Sequence, residues 1–211
     1  MSTDWVGTHL QEIRTLMERA ALYRRALSPV SLWVGLCGCA GAAACVAGGW
    51  REGIGFMLVW MGAATAALAG TLAIVRIQAL RAREPFWSPP ARRVTQAALP
   101  GLASAAGLTA ALLIWMSRVE EPEHVAAATR LAAALWLVFY GTALHAAGFF
   151  MRRGLKLAGW IFVALGAAYA MALAVAPQRA PSPLVVMGGA FGGAHLLYAA
   201  YLWITRRDAD S

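Results

Sequence analysis

Apolar residues run along this chain in six long blocks, separated by short polar segments where Gly, Pro, Arg and Glu collect. The blocks are Pro29–Gly49, Ile54–Val75, Val94–Met116, Leu131–Met151, Leu155–Ala176 and Leu184–Thr205. Each is about 20 residues long, and a helix of about 20 residues rises about 30 Å, the thickness of a bilayer's hydrocarbon core. None carries Lys, Arg, Asp or Glu in its central part. Backbone groups in lipid must be satisfied within the element, so runs this apolar are helices, and the period-two alternation of a membrane barrel is missing. The predicted fold is all-α: a polytopic membrane protein whose six transmembrane helices form three helical hairpins, preceded by a cytoplasmic amphipathic helix. The expected divisions are a leader over residues 1–28, a transmembrane domain over 29–205 and a tail over 206–211.

The leader has its own periodicity. Thr8-His9-Leu10-Gln11 has the form of a capping box, with Thr8 covering the amide of Gln11 and Gln11 reaching back to Thr8. Leu10, Ile13, Leu16, Met17, Ala20, Tyr23 and Leu27 then fall on one helical face, opposite Gln11, Glu12, Arg14, Glu18, Arg19 and Arg25. Two uses of this face stay open: an anchor lying along the cytoplasmic leaflet, or a docking surface for a soluble partner or a second copy of the chain.

Charge fixes the expected orientation. Arg14, Arg19, Arg24, Arg25, Arg76, Arg81, Arg83, Arg92, Arg93, Arg152, Arg153, Lys156, Arg206 and Arg207 fall on one side of a six-span topology, and only Arg51, Arg118, Arg130 and Arg179 on the other. The positive-inside rule therefore places both termini in the cytoplasm. The net charge of +8 resides on that face, where it reports topology and attraction to anionic lipid rather than nucleic-acid binding. In the longest cytoplasmic loop, Phe86 and Trp87 supply interfacial aromatics and Ser88-Pro89-Pro90 a cap with proline at the first helical positions. Arg81, Arg83, Trp87, Arg92 and Arg93 are the candidate contacts to anionic lipid head groups.

Small residues predict how the helices meet, because close approach in lipid relies on Gly, Ala and Ser. Met61-Gly62-Ala63-Ala64, Tyr140-Gly141-Thr142-Ala143 and Phe191-Gly192-Gly193-Ala194 occupy comparable places in spans two, four and six, an internal repeat consistent with three like hairpins. Cys37, Cys39 and Cys45 all fall in the first span and read as small packing residues. Cleavage of the leader is not expected: the Leu36-Cys37-Gly38-Cys39 and Ala42-Ala43-Ala44 runs follow a segment too long and too helical for a signal n-region.

Arg83-Glu84-Pro85-Phe86-Trp87-Ser88-Pro89, Phe139-Tyr140-Gly141-Thr142-Ala143-Leu144 and Gly192-Gly193-Ala194-His195-Leu196-Leu197-Tyr198 resemble an uncharacterised family of bacterial six-helix integral membrane proteins of this length. In overall three-hairpin plan the chain is also similar to the HdeD acid-resistance membrane protein family. The first resemblance implies no activity, and the second implies a role in envelope stress by architecture alone. His145 departs from the first family's pattern, where Asn is expected.

Within the spans the only ionisable side chains of chemical interest are His145 and His195, and intramembrane ionisable groups are functional candidates. With Tyr140 and Tyr198 they form the candidate intramembrane polar site. One histidine on each of two helices suggests bis-imidazole haem, but their depths differ by about 6 Å at 1.5 Å per residue, so neutral imidazoles hydrogen-bonded to Tyr140, Tyr169 or Tyr198 are the favoured reading. No cofactor and no metal are predicted; the external Glu120-Glu121-Pro122-Glu123-His124 run reads as a solvated turn. There is no nucleophile with base and orienting acid, no paired carboxylate within a span and no phosphate loop, so no enzyme is predicted. The expected function is a non-enzymatic scaffold, regulator or envelope-stress component; the alternative is a small carrier or channel using His145 and His195.

Overall fold

A computed structural model describes residues 27–83, 85–151 and 153–210, so the predicted leader lies outside the described residues except at Leu27 and Ser28. Among the described residues every regular element is helical. Six helices are long and apolar enough to cross a membrane: α1 (Leu27–Ala47), α2 (Gly53–Arg81), α3 (Pro89–Met116), α4 (Pro122–Ala147), α5 (Arg153–Val175) and α6, whose apolar span is Pro183–Thr205. The protein is thus a helical multi-pass membrane protein.

Ends follow local chemistry. Ser88 stands at the N-cap of α3 with Pro89 at the first helical position, and Ser182 caps α6 by accepting from the Val185 amide, ahead of Pro183. The α4 helix starts at Pro122, well before the expected Leu131, with Glu123 in its first turn. A carboxylate there suits the helix dipole. Arg130, which the apolar pattern leaves outside the span, sits within the helix because Glu52 accepts from its Nε at 2.7 Å. After Arg81 the chain turns through Arg83, a non-glycine residue with φ of 54°, before α3 begins.

The bundle is organised around α4. Half of its apolar window is buried, against 6% for α2 and α3. Its backbone is approached closely on two sides: a Cβ placed at Gly101 of α3 would lie 2.9 Å from the Phe139 carbonyl, and one at Gly141 would lie 2.7 Å from the Gly159 carbonyl of α5. Gly166 repeats the α5 contact two turns nearer the start of α4, against the Ala134 carbonyl. The same chemistry joins α1 to α6, where a Cβ at Gly38 would lie 2.5 Å from the Phe191 carbonyl carbon and 2.6 Å from the Gly192 nitrogen. Helix α1 also meets α2, where a Cβ at Gly41 would lie 3.1 Å from the Ala63 Cβ and the Trp33 indole donates to the Ala66 carbonyl. The third consecutive pair, α5 and α6, meets through side chains, Phe162 against Phe191 and His195.

Of the three glycines aligned by the repeat, Gly141 and Gly192 lie at helix crossings, whereas nothing lies within 4 Å of a Cβ at Gly62. On α2 the neighbouring Ala63 makes the contact instead. The core between the helices is filled by Phe56, Met57, Trp60, Leu137 and Met187 together with the alanine run 132–134.

Candidate functional site

The sixth span does not run as one regular helix. Pro183–Met187 is α-helical, Gly188–Ala194 forms a π-helical stretch, and α-helix resumes at His195. The π segment reads Gly-Gly-Ala-Phe-Gly-Gly-Ala, where four glycines accept the wider turn and two of them, Gly188 and Gly192, face α1 at Ala42 and Cys39. Its consequence is local: the widened backbone presents the Ala190 carbonyl to the side chain of His195, whose Nδ1 lies 3.2 Å away.

A carbonyl oxygen only accepts, so Nδ1 donates to it. In the neutral imidazole Nε2 is then an acceptor, and the Tyr140 hydroxyl of α4 lies 2.8 Å from it, placed to donate. Both ring nitrogens are thereby engaged. Rings close the rest: Phe191 stacks on the imidazole at 6.2 Å and 9°, Phe162 of α5 lies at 5.4 Å, and Tyr140 packs edge-on against both phenylalanines at 5.0 Å. His195 is 8% exposed. Three helices therefore enclose one imidazole in an aromatic cage with its hydrogen bonds complete.

Of the four residues predicted to share a polar site, the structure brings together Tyr140 and His195. His145 stands in a different cluster, near the turn between α4 and α5, with Phe149 and Trp160 each 5.3 Å from its ring and the Lys156 carbonyl 3.5 Å from its Nδ1. Tyr198 stacks on Tyr201, and its hydroxyl lies beside Gly154 at the start of α5. Tyr169 is buried, but its hydroxyl and the Trp60 indole N–H have no hydrogen-bond partner among the described residues. The predicted head-group residues Arg81, Arg83, Trp87, Arg92 and Arg93 are all exposed at one end of the bundle, where Arg76 sits over the Phe86 ring at 5.8 Å.

Other polar ties went unseen in the sequence. Thr129 accepts from the Gly53 amide at 2.9 Å while donating to the Val125 carbonyl, and Thr109 accepts from the Trp136 indole at 2.7 Å while donating to the Ala105 carbonyl. Each threonine satisfies itself within its own helix and keeps an acceptor lone pair for a neighbour. Glu52 and Arg130 complete the set at the end of the bundle where α2 and α4 begin. At that end His124 and Glu121 lie 3.8 Å apart on an exposed turn, and among the described residues no three His, Cys, Asp or Glu side chains converge on a metal-sized site.

These features define a class, a six-helix membrane bundle with isolated, internally satisfied polar pairs. No family model, curated protein or solved structure matches the chain.

Proposed function

We propose that the chain is a non-enzymatic scaffold or regulatory component of a bacterial cytoplasmic membrane, with an envelope-stress role as its setting, both termini in the cytoplasm and the six spans arranged as three like hairpins. The observation that carries this reading is the closure of His195. A carrier needs a titratable group that exchanges partners along a polar route, whereas here both nitrogens are occupied within a ring of aromatic side chains. Thr109 with Trp136 inside the bundle and Glu52 with Arg130 at its partly exposed end are separate pairs, and His145 belongs to a cluster of its own. Tight glycine crossings at Gly38, Gly141 and Gly192 support a bundle built for fixed packing.

Orientation draws support from the exposed arginines clustered where α2 turns into α3. The partners in this reading are anionic head groups at the cytoplasmic face and, at the leader, a soluble protein or a second copy. Purified protein in vesicles, assayed for flux driven by a pH gradient, tests it. Wild type should give no flux above empty vesicles. A robust flux abolished by His195→Gln, with the fold intact, would replace the scaffold by a proton-coupled carrier.

A further inference from the structure

The turn joining α4 to α5 carries a cluster that the scaffold reading does not use. The helix ends in a 3-10 turn, Gly148–Phe150, that leaves Phe149 and Phe150 projecting from the bundle at 62% and 52% exposure. Two turns into α5, Trp160 projects likewise, at 59%. Between Phe149 and Trp160 stands His145, edge-on to both rings at 88° and 63°, so the two exposed rings flank a common centre. Lys156 closes the group, with its Nζ 3.7 Å from the centre of the Phe149 ring.

The lysine is held by backbone packing as well. A Cβ at Gly148 would lie 2.8 Å from the Lys156 nitrogen, so only glycine lets the turn pass this close to the base of α5. A free lysine at a membrane surface loses up to about 2 kcal/mol of side-chain entropy when it is ordered. Seated on Phe149, Lys156 is ordered in advance, and no acidic side chain neutralises it among the described residues. Projecting aromatic rings and an ammonium seated on one of them, in the first turns of a spanning helix, lie at head-group depth, where aromatic belts and basic residues meet lipid.

We propose that this cluster is a seat for a single anionic phospholipid of the adjoining leaflet, its phosphate taken by Lys156 and its glycerol and upper acyl chains by Phe149 and Trp160, with His145 as the spacer that sets the rings apart. The site is distinct from the arginine-rich α2–α3 turn, where the charges are exposed and Arg76 rests on the Phe86 ring. It relies on the helices being membrane spans and is independent of the scaffold reading, because it holds equally for a carrier and in either orientation.

The test uses the full chain in nanodiscs of mixed phosphatidylglycerol and phosphatidylcholine, released for native mass spectrometry to count retained lipids. Wild type should retain phosphatidylglycerol preferentially, and Lys156→Gln should lower that preference about fivefold, the worth of one cation at a membrane surface. Lys156→Arg should restore it, and a large excess of inorganic phosphate should leave it unchanged. An unchanged preference in Lys156→Gln, equal retention of both lipids by wild type, or displacement by free phosphate would each overturn the proposal. A second readout survives any folding defect of the lysine variant: the fluorescence difference between wild type and Trp160→Phe should be quenched more by brominated phosphatidylglycerol than by brominated phosphatidylcholine, and equal quenching would count against the seat.

Discussion

The Tyr140 hydroxyl and the His195 Nε2 lie 2.8 Å apart, and this bond ties the most buried helix, α4, to the irregular sixth span. It depends on the π-helical turn, because the Ala190 carbonyl takes Nδ1 and so assigns Nε2 the accepting role. Removing the donor leaves that acceptor buried and unpaired, which costs about 1–3 kcal/mol. Tyr140→Phe should therefore lower the thermal midpoint in detergent measurably. His195→Gln should cost less than His195→Leu, since an amide still offers a polar atom to the tyrosine. Equal midpoints for wild type and Tyr140→Phe would show that the bond contributes nothing.

Tyr169 makes the opposite prediction from the same residue type. Its hydroxyl is buried with no partner among the described residues. A buried, unpaired hydroxyl is a penalty, so Tyr169→Phe should be neutral or stabilising. Measured beside Tyr140→Phe under identical conditions, the two substitutions should move the midpoint by clearly different amounts. A loss at Tyr169 as large as at Tyr140 would mean that the hydroxyl is satisfied by something it holds tightly.

Spans are legible in a sequence because placing a charge at the bilayer centre is costly at every position, so each helix writes its own signature without reference to the others. Partnership has no such local record. Tyr140 and His195 are 55 residues apart and Glu52 and Arg130 are 78 apart, and nothing near either residue names the other. The expectation that His195 bonds to a tyrosine was legible from chemistry, but the choice among Tyr140, Tyr169 and Tyr198 depended on helix rotation and on the π turn. The glycine-rich stretch 188–194 signalled close packing, which Gly192 makes against Cys39, yet composition alone does not distinguish a π turn from a regular one. Arg130 shows the reverse: its charge ends the apolar run in the sequence, and its neutralising partner, Glu52, stands at the N-cap of α2, 78 residues away.

Glycines at crossings should be far less replaceable than their repeat counterpart. At Gly141 a side chain would collide with the Gly159 carbonyl and the Val163 amide, and backbone cannot give way as a flexible side chain can. Gly141→Leu should block the α4–α5 approach and lower stability by several kcal/mol, in the range of severe overpacking. Gly62→Leu should be mild, because open space surrounds that position. Thermal unfolding of both variants in one detergent checks the contrast, and equal tolerance would remove the packing role assigned to Gly141.

The Glu52–Arg130 pair is partly open to solvent, with side chains about a third exposed, so its Coulomb energy is screened and its worth is about 1 kcal/mol. Yet each partner holds the other near the boundary of the apolar span. Removing one charge should cost more than removing both, since a lone charge remains without its counterion. A double-mutant cycle with Glu52→Gln and Arg130→Gln should show positive coupling of that size. Strict additivity would mean that water serves each charge as well as its partner does.

Topology is the remaining prediction, and it follows from where the charged turns lie. Glu121 is exposed ahead of α4, and Arg83 is exposed in the turn that joins α2 to α3, at the opposite end of the bundle by the alternation of the helices. With Cys37, Cys39 and Cys45 replaced by alanine, Glu121→Cys should react with a membrane-impermeant maleimide in intact cells. Arg83→Cys should react only after permeabilisation. Neutralising Arg92 and Arg93, exposed at the start of α3, should then produce a mixed population in which both positions react in part, because basic residues close to the span ends set the orientation. Labelling of Arg83→Cys from outside, with Glu121→Cys protected, would invert the bundle and move the arginine-rich turn to the outer face, while leaving the caged histidine and its packing untouched.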